Sequence, residues 1–399
     1  MKVNKTFKYR LYPTKEQEVL LARHFGSKRF IFNYFLCQRK KAYLEAQKTL
    51  NYYDNAKSLT EMKHSEEFSW MGEINSQSLQ ASLRDLDTAY NRFFAKQGMF
   101  PKFKSRHDRQ SFRIPQNVFY KDGLLDIPKF KKPIKVQEDR PPNGKILFAT
   151  VSKTPTGRYF VAITCETEHE QFPKVNKNVG VDVGLKELAV LSDGKRYANI
   201  KSTIKHQRRL AYEQRQLSKK VKGSASRGRQ RIKVAKVHEK IVNSRNDHIH
   251  KITTAIVREN QTICVEDLSV ANMMKNHCLA KGIADVAWGE FFRQLRYKSE
   301  WNGRNLVEIG RFFPSSKTCW HCKFIHQGLT LKDRTWVCPR CGTELDRELN
   351  ASRNILEQGL NDFNSGCGTQ SEPKQKRGEA SPGNGESVNP ETQPSLVVG

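Results

Sequence analysis

Two Cys-x-x-Cys pairs form the most specific chemical pattern in this sequence. The four residues are Cys319, Cys322, Cys338 and Cys341. Each pair can supply two thiolates from one tight knuckle, and residues 323–337 between the pairs suffice for a hairpin, as in a tetrahedral zinc ribbon. Gly342 suits the second knuckle, whereas Lys323 stands where glycine is usual in the first. Four ordinary buried cysteines are the alternative, but the doubled spacing favours structural Zn²⁺.

Two carboxylates occur within otherwise apolar strand patterns. Asp182 lies in the run 179–184, and Glu266 ends the run 262–266. Burying a carboxylate without a partner is unfavourable, so each of these side chains needs a cation or a dense set of hydrogen bonds. Two neighbouring acids are weaker alternatives. Asp267 would point away from Glu266 in a strand, and Asp193 lies in an Asp-Gly turn.

A third carboxylate, Asp346, opens a helical pattern just after the second cysteine pair. Asp is a favoured N-cap residue, so a plain capping role remains open. Asn350 and Asn354 would share its helix face. Together, Asp182, Glu266 and Asp346 predict a set of hard oxygen ligands for two Mg²⁺ ions. Two such ions about 3.5–4 Å apart would activate a water and stabilise the leaving oxygen in phosphodiester cleavage.

The composition indicates a polyanionic partner. The 399 residues include 70 Lys and Arg against 41 Asp and Glu, a formal charge of +29. Nucleic acid is the leading candidate, and a membrane surface is less favoured because no basic helix shows an apolar Trp/Leu face. No apolar run reaches transmembrane length, and the first ten residues lack a signal-peptide pattern. Nine cysteines, four of them in knuckles, fit a reducing compartment, so we expect a cytoplasmic protein.

The elements that would position these groups begin with a half-exposed strand at 3–11. A capping box, Thr14 with Gln17, predicts a helix that Gly26 would end. Further helices should follow, with a core stripe formed by Leu79, Leu83, Leu86, Tyr90 and Phe94. Short strand patterns up to residue 166 then predict a small β-barrel into which the helical region is inserted.

Two basic segments are candidates for nucleic-acid contact. The connector 100–113 is basic with Phe residues interspersed, so it could neutralise phosphates and stack on bases. The segment 201–260 predicts a basic helical hairpin with its tip at 223–229. Solvated surface is the alternative for both, but the hairpin's charge is nearly all of one sign. Beyond it, a helix at 284–302 and a strand at 306–309 are predicted, and the tail from Gly366 has too little apolar content to fold alone.

Six motifs and the cysteine knuckles together resemble the TnpB family of transposon-encoded, RNA-guided DNA endonucleases, which are similar to the nuclease halves of type V CRISPR effectors. The motifs are RLYP at 10–13, VGVDVG at 179–184, VEDL at 265–268, WGEFF at 288–292, FPSS at 313–316 and DRELNA at 346–351. Asp182, Glu266 and Asp346 match the positions of the family's acidic trio. Family patterns often have Asp where this chain has Glu348, a change that keeps the charge.

The resemblance implies a multidomain α+β protein. A RuvC-like nuclease core with an RNase H fold would comprise 173–312 and 344–364, with a zinc ribbon inserted at 313–343. A wedge-like β-barrel would comprise 1–14 and 112–172, with a helical recognition domain at 15–111. The tail 365–399 is predicted to be disordered.

The function implied is RNA-guided, Mg²⁺-dependent cleavage of double-stranded DNA beside a short flanking motif, with pairing to a guide RNA from the transposon end reading most of the target. We expect one monomer per RNA, no membrane partner, and location in the prokaryotic cytoplasm or nucleoid. The zinc ribbon would support substrate loading, because four thiolates leave no zinc position for water. A DNA transposase with a similar acidic site and a catalytically silent, RNA-guided repressor remain alternatives.

Overall fold

The computed structural model describes residues 1–330, 332–366 and 369–370. The chain divides into two compact units. The first contains residues 1–174, 199–258 and 270–303, and the second contains 175–198, 259–269 and the described residues from Arg304 onward. Among the described residues, no helix is both long enough and apolar enough to cross a membrane.

The first unit is built on a seven-stranded antiparallel sheet. Its strands are β1 (Lys2–Tyr12), β2 (Gln110–Ile114), β3 (Phe119–Lys121), β4 (Leu124–Asp126), β5 (Ile134–Gln137), β6 (Lys145–Lys153) and β7 (Tyr159–Glu168), in the order β2-β6-β7-β1-β5-β4-β3. Alternate residues of β1, among them Phe7, Tyr9 and Leu11, point into the core. The strand predicted at 3–11 is therefore confirmed. The predicted barrel is a half-barrel, because its edge strands β2 and β3 do not pair.

A helical region is inserted between β1 and β2, as predicted. It contains α1 (Lys15–Ala46), α2 (Tyr52–His64), a 3₁₀ segment (Glu66–Glu73) and α3 (Ser76–Phe94). Thr14 and Gln17 form the predicted capping box. The expectation that Gly26 ends the first helix is wrong. Helix α1 continues for twenty more residues, because its buried side chains Ile31, Phe35 and Leu36 extend the apolar face that packs with α3.

Five helices complete the first unit: α4 (Ser202–Ser218), α5 (Ala225–Glu259), α6 (Val270–Met273), α7 (His277–Val286) and α8 (Trp288–Trp301). The basic hairpin predicted at 201–260 corresponds to α4 and α5. Glu213, 2% exposed, accepts a 2.6 Å hydrogen bond from the Gln230 side-chain amide. Arg227 caps the end of α4 by donating to the Leu217 and Lys220 carbonyls, each at 2.8 Å. These contacts hold the two helices in one register.

The second unit has an RNase H-like sheet and a zinc-ribbon hairpin. Its elements are β8 (Asn178–Asp182), β9 (Glu187–Leu191), β10 (Arg196–Ala198), β11 (Thr262–Glu266), β12 (Asn305–Ile309), β13 (Thr335–Val337), β14 (Glu344–Asp346), α9 (Arg347–Asn364) and β15 (Thr369–Gln370). The sheet order is β10-β9-β8-β11-β12-β15. Strands β8, β9 and β10 form an antiparallel meander, and β11 runs parallel to both β8 and β12. The remaining pair, β13 and β14, forms the hairpin.

The tail that was predicted to be disordered, 365–399, lies outside the described residues except for 365–366 and 369–370. Residues 369–370 form strand β15, which pairs antiparallel with β12. The predicted domain boundaries remain predictions.

Helix α9 packs against the sheet at unusually close range. A Cβ atom on Gly180 of β8 would lie 2.0 Å from the Ser352 carbonyl oxygen and 2.6 Å from the Leu356 backbone nitrogen. Such contacts cannot be relieved by rotating a side chain, because both atoms belong to the helix backbone. Glycine is therefore required where β8 passes under α9.

Replacing Gly180 with Ala should separate α9 from the sheet. We expect the free energy of unfolding, measured by urea denaturation, to fall by about 1–3 kcal/mol or more, as for other overpacked cores. Gly310→Ala is the matched control, because a Cβ there meets nothing within 4 Å. Equal stability of the two variants would contradict the close packing.

Candidate active site and metal centre

The four knuckle cysteines lie at zinc-binding distances. Cys319 Sγ is 3.7 Å from Cys341 Sγ, Cys322 Sγ is 3.5 Å from Cys338 Sγ, and all four sulfurs lie within 4.8 Å of one another. A tetrahedral ion with Zn–S bonds of about 2.3 Å would place its sulfurs about 3.8 Å apart. The predicted zinc ligands are therefore together, and the donor set fits one structural Zn²⁺.

The two knuckles repeat the same backbone geometry. Cys319 N–H donates to the Phe324 carbonyl and Lys323 N–H to the Cys319 carbonyl, at 2.8 and 2.9 Å. In the second knuckle, Cys338 and Gly342 make the equivalent bonds, both at 2.9 Å. Both turns need left-handed backbone, with φ of 62° at Lys323 and 70° at Gly342. Lysine thus adopts the conformation that glycine usually supplies, at some cost in strain.

Two asparagines of α9 hold the segment that leads into the ribbon. Asn350 and Asn354 are buried on one helix face, as the sequence predicted. Their side-chain amides donate to the Thr318 carbonyl at 2.7 and 2.6 Å, and Trp320 N–H donates to Asn350 Oδ1 at 2.9 Å. The ribbon is therefore anchored to the helix that Asp346 begins.

Asp182 and Glu266 lie at the same edge of the sheet. Strands β8 and β11 are parallel and pair Val181 with Val265, so the next residue of each strand is a carboxylate at its carboxyl end. The pKa of Asp182 is raised well above its usual range, chiefly by burial and further by the negative charges of Glu266 and Glu348. Burial also raises the pKa of Glu266. Like charges held in low dielectric favour a bound cation.

Further contacts distinguish Glu266 from the alternative acids. Ser315 donates a 2.5 Å hydrogen bond to Glu266 Oε1 and so fixes the carboxylate's orientation. Asp267 forms an ion pair with Arg311 at 2.5 Å. Asp193 forms one with Lys177 at 2.7 Å. The two acids ranked lower from the sequence are thus neutralised by basic side chains.

Asp346 combines its predicted capping role with an ion pair. Its Oδ1 accepts a hydrogen bond from Leu349 N–H at 2.9 Å and lies 3.0 Å from an Arg196 guanidinium nitrogen. Burial alone would raise the pKa of Asp346, but the Leu349 N–H and Arg196 outweigh it and lower that pKa. The carboxylate is therefore held ionised as a helix cap.

Glu348, which the sequence analysis did not place in the site, lies near enough to Asp182 for its charge to act on that carboxyl. Its side chain is only 11% exposed, and its charge contributes to the raised pKa of Asp182. Arg334 of the ribbon hairpin forms a 2.5 Å ion pair with Glu348, and Arg196 lies 3.8 Å from it. The available signal was its position two residues into α9, where the TnpB pattern often carries Asp.

The acidic side chains are less tightly gathered than the thiolates. In the described part of the chain, the four cysteines are the group of three or more metal-ligating side chains whose ligand atoms come within 4.8 Å of one another. Mg²⁺ usually keeps several waters and takes only one or two carboxylates directly. A magnesium site of this kind would not require the carboxylates to gather as closely as the thiolates.

An RNase H-like sheet with strand-end carboxylates and a zinc ribbon before its last helix is the architecture of a RuvC-like nuclease. Three family models match the chain. They are described as "Helix-turn-helix domain" (residues 1–48), "Probable transposase" (162–277) and "Cas12f1-like, TNB domain" (288–355). In 1–48 the structure has strand β1 and one continuous helix, α1, rather than two helices joined by a turn.

Two bacterial relatives are named "Putative RNA-guided DNA endonuclease", the second with the suffix InsQ. The protein from Streptomyces pristinaespiralis is 42% identical over 94% of this chain and 93% of its own length. The protein from Escherichia coli K12 is 34% identical over 90% of this chain and 93% of its own length. A solved Cas12f1–sgRNA–target DNA complex aligns over 89% of this chain and 98% of that chain, with 13% identity and a TM-score of 0.47. The chain belongs to the TnpB family of RNA-guided DNA endonucleases.

Proposed function

We propose that this protein is an RNA-guided, Mg²⁺-dependent endonuclease that cuts double-stranded DNA beside a short flanking motif. The observation that carries the proposal is the pair of carboxylates, Asp182 and Glu266, at the carboxyl ends of adjacent parallel strands. The pKa of each is raised by burial. The names of the two bacterial relatives support the guide RNA and the DNA substrate. The protein would work in the prokaryotic cytoplasm as one monomer per guide RNA.

Asp182, Glu266 and a third carboxylate would hold magnesium. Two bound Mg²⁺ ions would activate a water and stabilise the leaving oxygen. Asp182 and Glu266 would bind from the strand ends, and the Ser315 hydroxyl would keep Glu266 aimed at the site. Asp346 remains the acid predicted for the third position. Glu348 is the second candidate, because its charge acts on Asp182 while Asp346 is engaged by Arg196.

Two isosteric variants separate the candidates for the third carboxylate. Glu348→Gln should slow cleavage by about 10²-fold or more, since it would remove a metal-facing charge, with little change in stability. Asp346→Asn should cost less activity, since asparagine also caps helices. Single-turnover cleavage rates and thermal melting of both variants would test this. A greater activity loss in Asp346→Asn would return the third position to Asp346.

The basic segments would bind the guide RNA and its hybrid with DNA. The connector 100–113 presents exposed rings beside cations, and Lys40 lies 5.1 and 5.0 Å from the ring centroids of Phe100 and Phe103. Phosphates would be neutralised by the cations of this connector and of the α4–α5 hairpin, while such rings can stack on bases.

RNA binding should therefore depend strongly on salt. Counterion release predicts that affinity falls by about 10³-fold or more between 50 and 200 mM salt if six or more phosphates are contacted. A filter-binding titration over that range would measure the slope. A flat response would contradict the assignment of these segments to phosphate contact.

A DNA transposase is the second candidate function, favoured by the "Probable transposase" description of the family model at 162–277. The two functions differ in their need for RNA. Purified protein freed of nucleic acid should leave DNA intact until a matching guide RNA and Mg²⁺ are added. Joining of DNA ends without RNA would establish the transposase instead. Binding of the guided target without cutting, with or without Mg²⁺, would establish a silent repressor.

A further inference from the structure

Phe312 is the most exposed large hydrophobic side chain in the described part of the chain, at 92%. It lies three residues beyond the end of β12, whose neighbour β11 carries Glu266 at the same edge of the sheet. A single exposed aromatic ring needs no explanation by itself. The position of the Phe312 ring is informative, however, because residues beside it in the chain contact the acidic site.

The backbone on both sides of Phe312 is fixed. Arg311 donates to both the carboxylate and the carbonyl oxygen of Asp267, the residue after Glu266. Phe313 packs against a cluster of buried side chains that includes Ile309 and Ile355. Ser315 N–H donates to the Phe313 carbonyl at 2.8 Å. The ring is therefore presented to solvent by a hydrogen-bonded turn that is anchored on both sides of Phe312.

The same turn is joined to the candidate metal ligands. Ser315, three residues after Phe312, donates to Glu266 Oε1 at 2.5 Å. A ligand held on the Phe312 ring would thus be held relative to Glu266. Because stacking on an aromatic ring is tolerant of base identity, such a contact suits an enzyme that must cut many sequences.

We propose that Phe312 is a positioning residue that stacks on an unpaired base of the DNA strand being cut and so places the scissile phosphate at the Asp182–Glu266 site. The inference rests on the proposed nuclease function and adds a single-stranded DNA contact to it. The ring gains from burial only when a base covers it, so the contact forms only when the DNA strand is bound.

The first test is a double-mutant cycle on cleavage of fully bound target. Phe312→Ala should slow single-turnover cutting by about five- to 100-fold, the value of one stacked base, and Phe312→Leu should resemble it. Phe312→Trp should stay within about threefold of wild type. A DNA target with one abasic position near the cut site should slow cutting by wild type as much as Phe312→Ala does. Combining the abasic target with Phe312→Ala should slow cutting no further. Phe119→Ala, which removes a 65% exposed ring from the edge strand β3, is the matched control.

The second test needs no cleavage and so separates this inference from the proposed function. Single-stranded DNA containing 5-iododeoxyuridine is photocrosslinked to the RNA-bound protein, and the modified peptide is identified by mass spectrometry. Crosslinking at Phe312 without guided cutting would refute the nuclease function and retain the stacking contact. Guided cutting by wild type, with no crosslink at Phe312 and an unchanged rate in Phe312→Ala, would overturn the inference.

Discussion

Asp182→Asn should abolish guided cleavage, with a loss of at least about 10³-fold, while RNA and DNA binding are retained. The substitution removes one of two carboxylates at the strand ends and so would weaken the proposed magnesium site. Single-turnover cleavage and gel-shift assays on the same preparation would measure both properties. Asp193→Asn is the matched control, because that carboxylate pairs with Lys177 in a turn. Loss of binding together with cleavage would show that Asp182 is structural.

The same variant should be at least as stable as the wild type without Mg²⁺. Burial and two neighbouring carboxylates raise the pKa of Asp182 in the folded state. The folded protein then binds this proton more tightly than the unfolded chain, so stability falls as pH rises above the ordinary aspartate pKa. Asparagine removes the charge and therefore this penalty at neutral pH. Urea denaturation in EDTA at pH 5 and 7.5 would measure the difference, and a less stable variant at pH 7.5 would contradict it.

Cys338→Ser should release zinc and unfold the ribbon. Structural zinc contributes about 10–16 kcal/mol of apparent binding free energy in zinc-finger peptides, and this energy is coupled to folding. Cutting should be lost too, because the residues leading into the ribbon are anchored to α9 through Asn350 and Asn354. Zinc content by mass spectrometry, thermal melting and cleavage rate are the measurements.

Cys278→Ser is the matched control for this prediction, because Cys278 is an exposed free cysteine on α7. It should keep its zinc and its melting temperature. Zinc content and stability that are unchanged in Cys338→Ser as well would contradict the zinc-ribbon assignment.

Local patterns in the sequence predicted the zinc knuckles, the buried carboxylates and one helix cap. The cysteine spacing specified the knuckles, because four thiolates and two tight turns are local requirements. Because burying a carboxylate without a partner is unfavourable, the apolar strand patterns around Asp182 and Glu266 predicted a shared cation for both. The parallel pairing of β8 with β11, which places both at one sheet edge, is known only from the structure. The capping role of Asp346 also followed from its position before a helix.

Other features depend on contacts between distant residues, which a local pattern does not contain. The pairing of Ser315 with Glu266 and of Arg334 with Glu348 joins residues 49 and 14 positions apart. Gly26 does not end α1 as the local sequence predicts, because the buried face that extends the helix packs with α3. The half-barrel likewise depends on a long-range feature, namely that the edge strands β2 and β3 do not pair with each other.

The central claim, guided cleavage, is tested most directly by changing the guide. The protein is purified from cells that carry its own flanking DNA, and the RNA that accompanies it is sequenced. The variable end of that RNA is then replaced, and the complex is offered DNA that matches either the old or the new sequence. We predict one dominant RNA and Mg²⁺-dependent cutting that moves to the new sequence. Unrelated RNAs, or cutting that ignores the guide, would contradict the account.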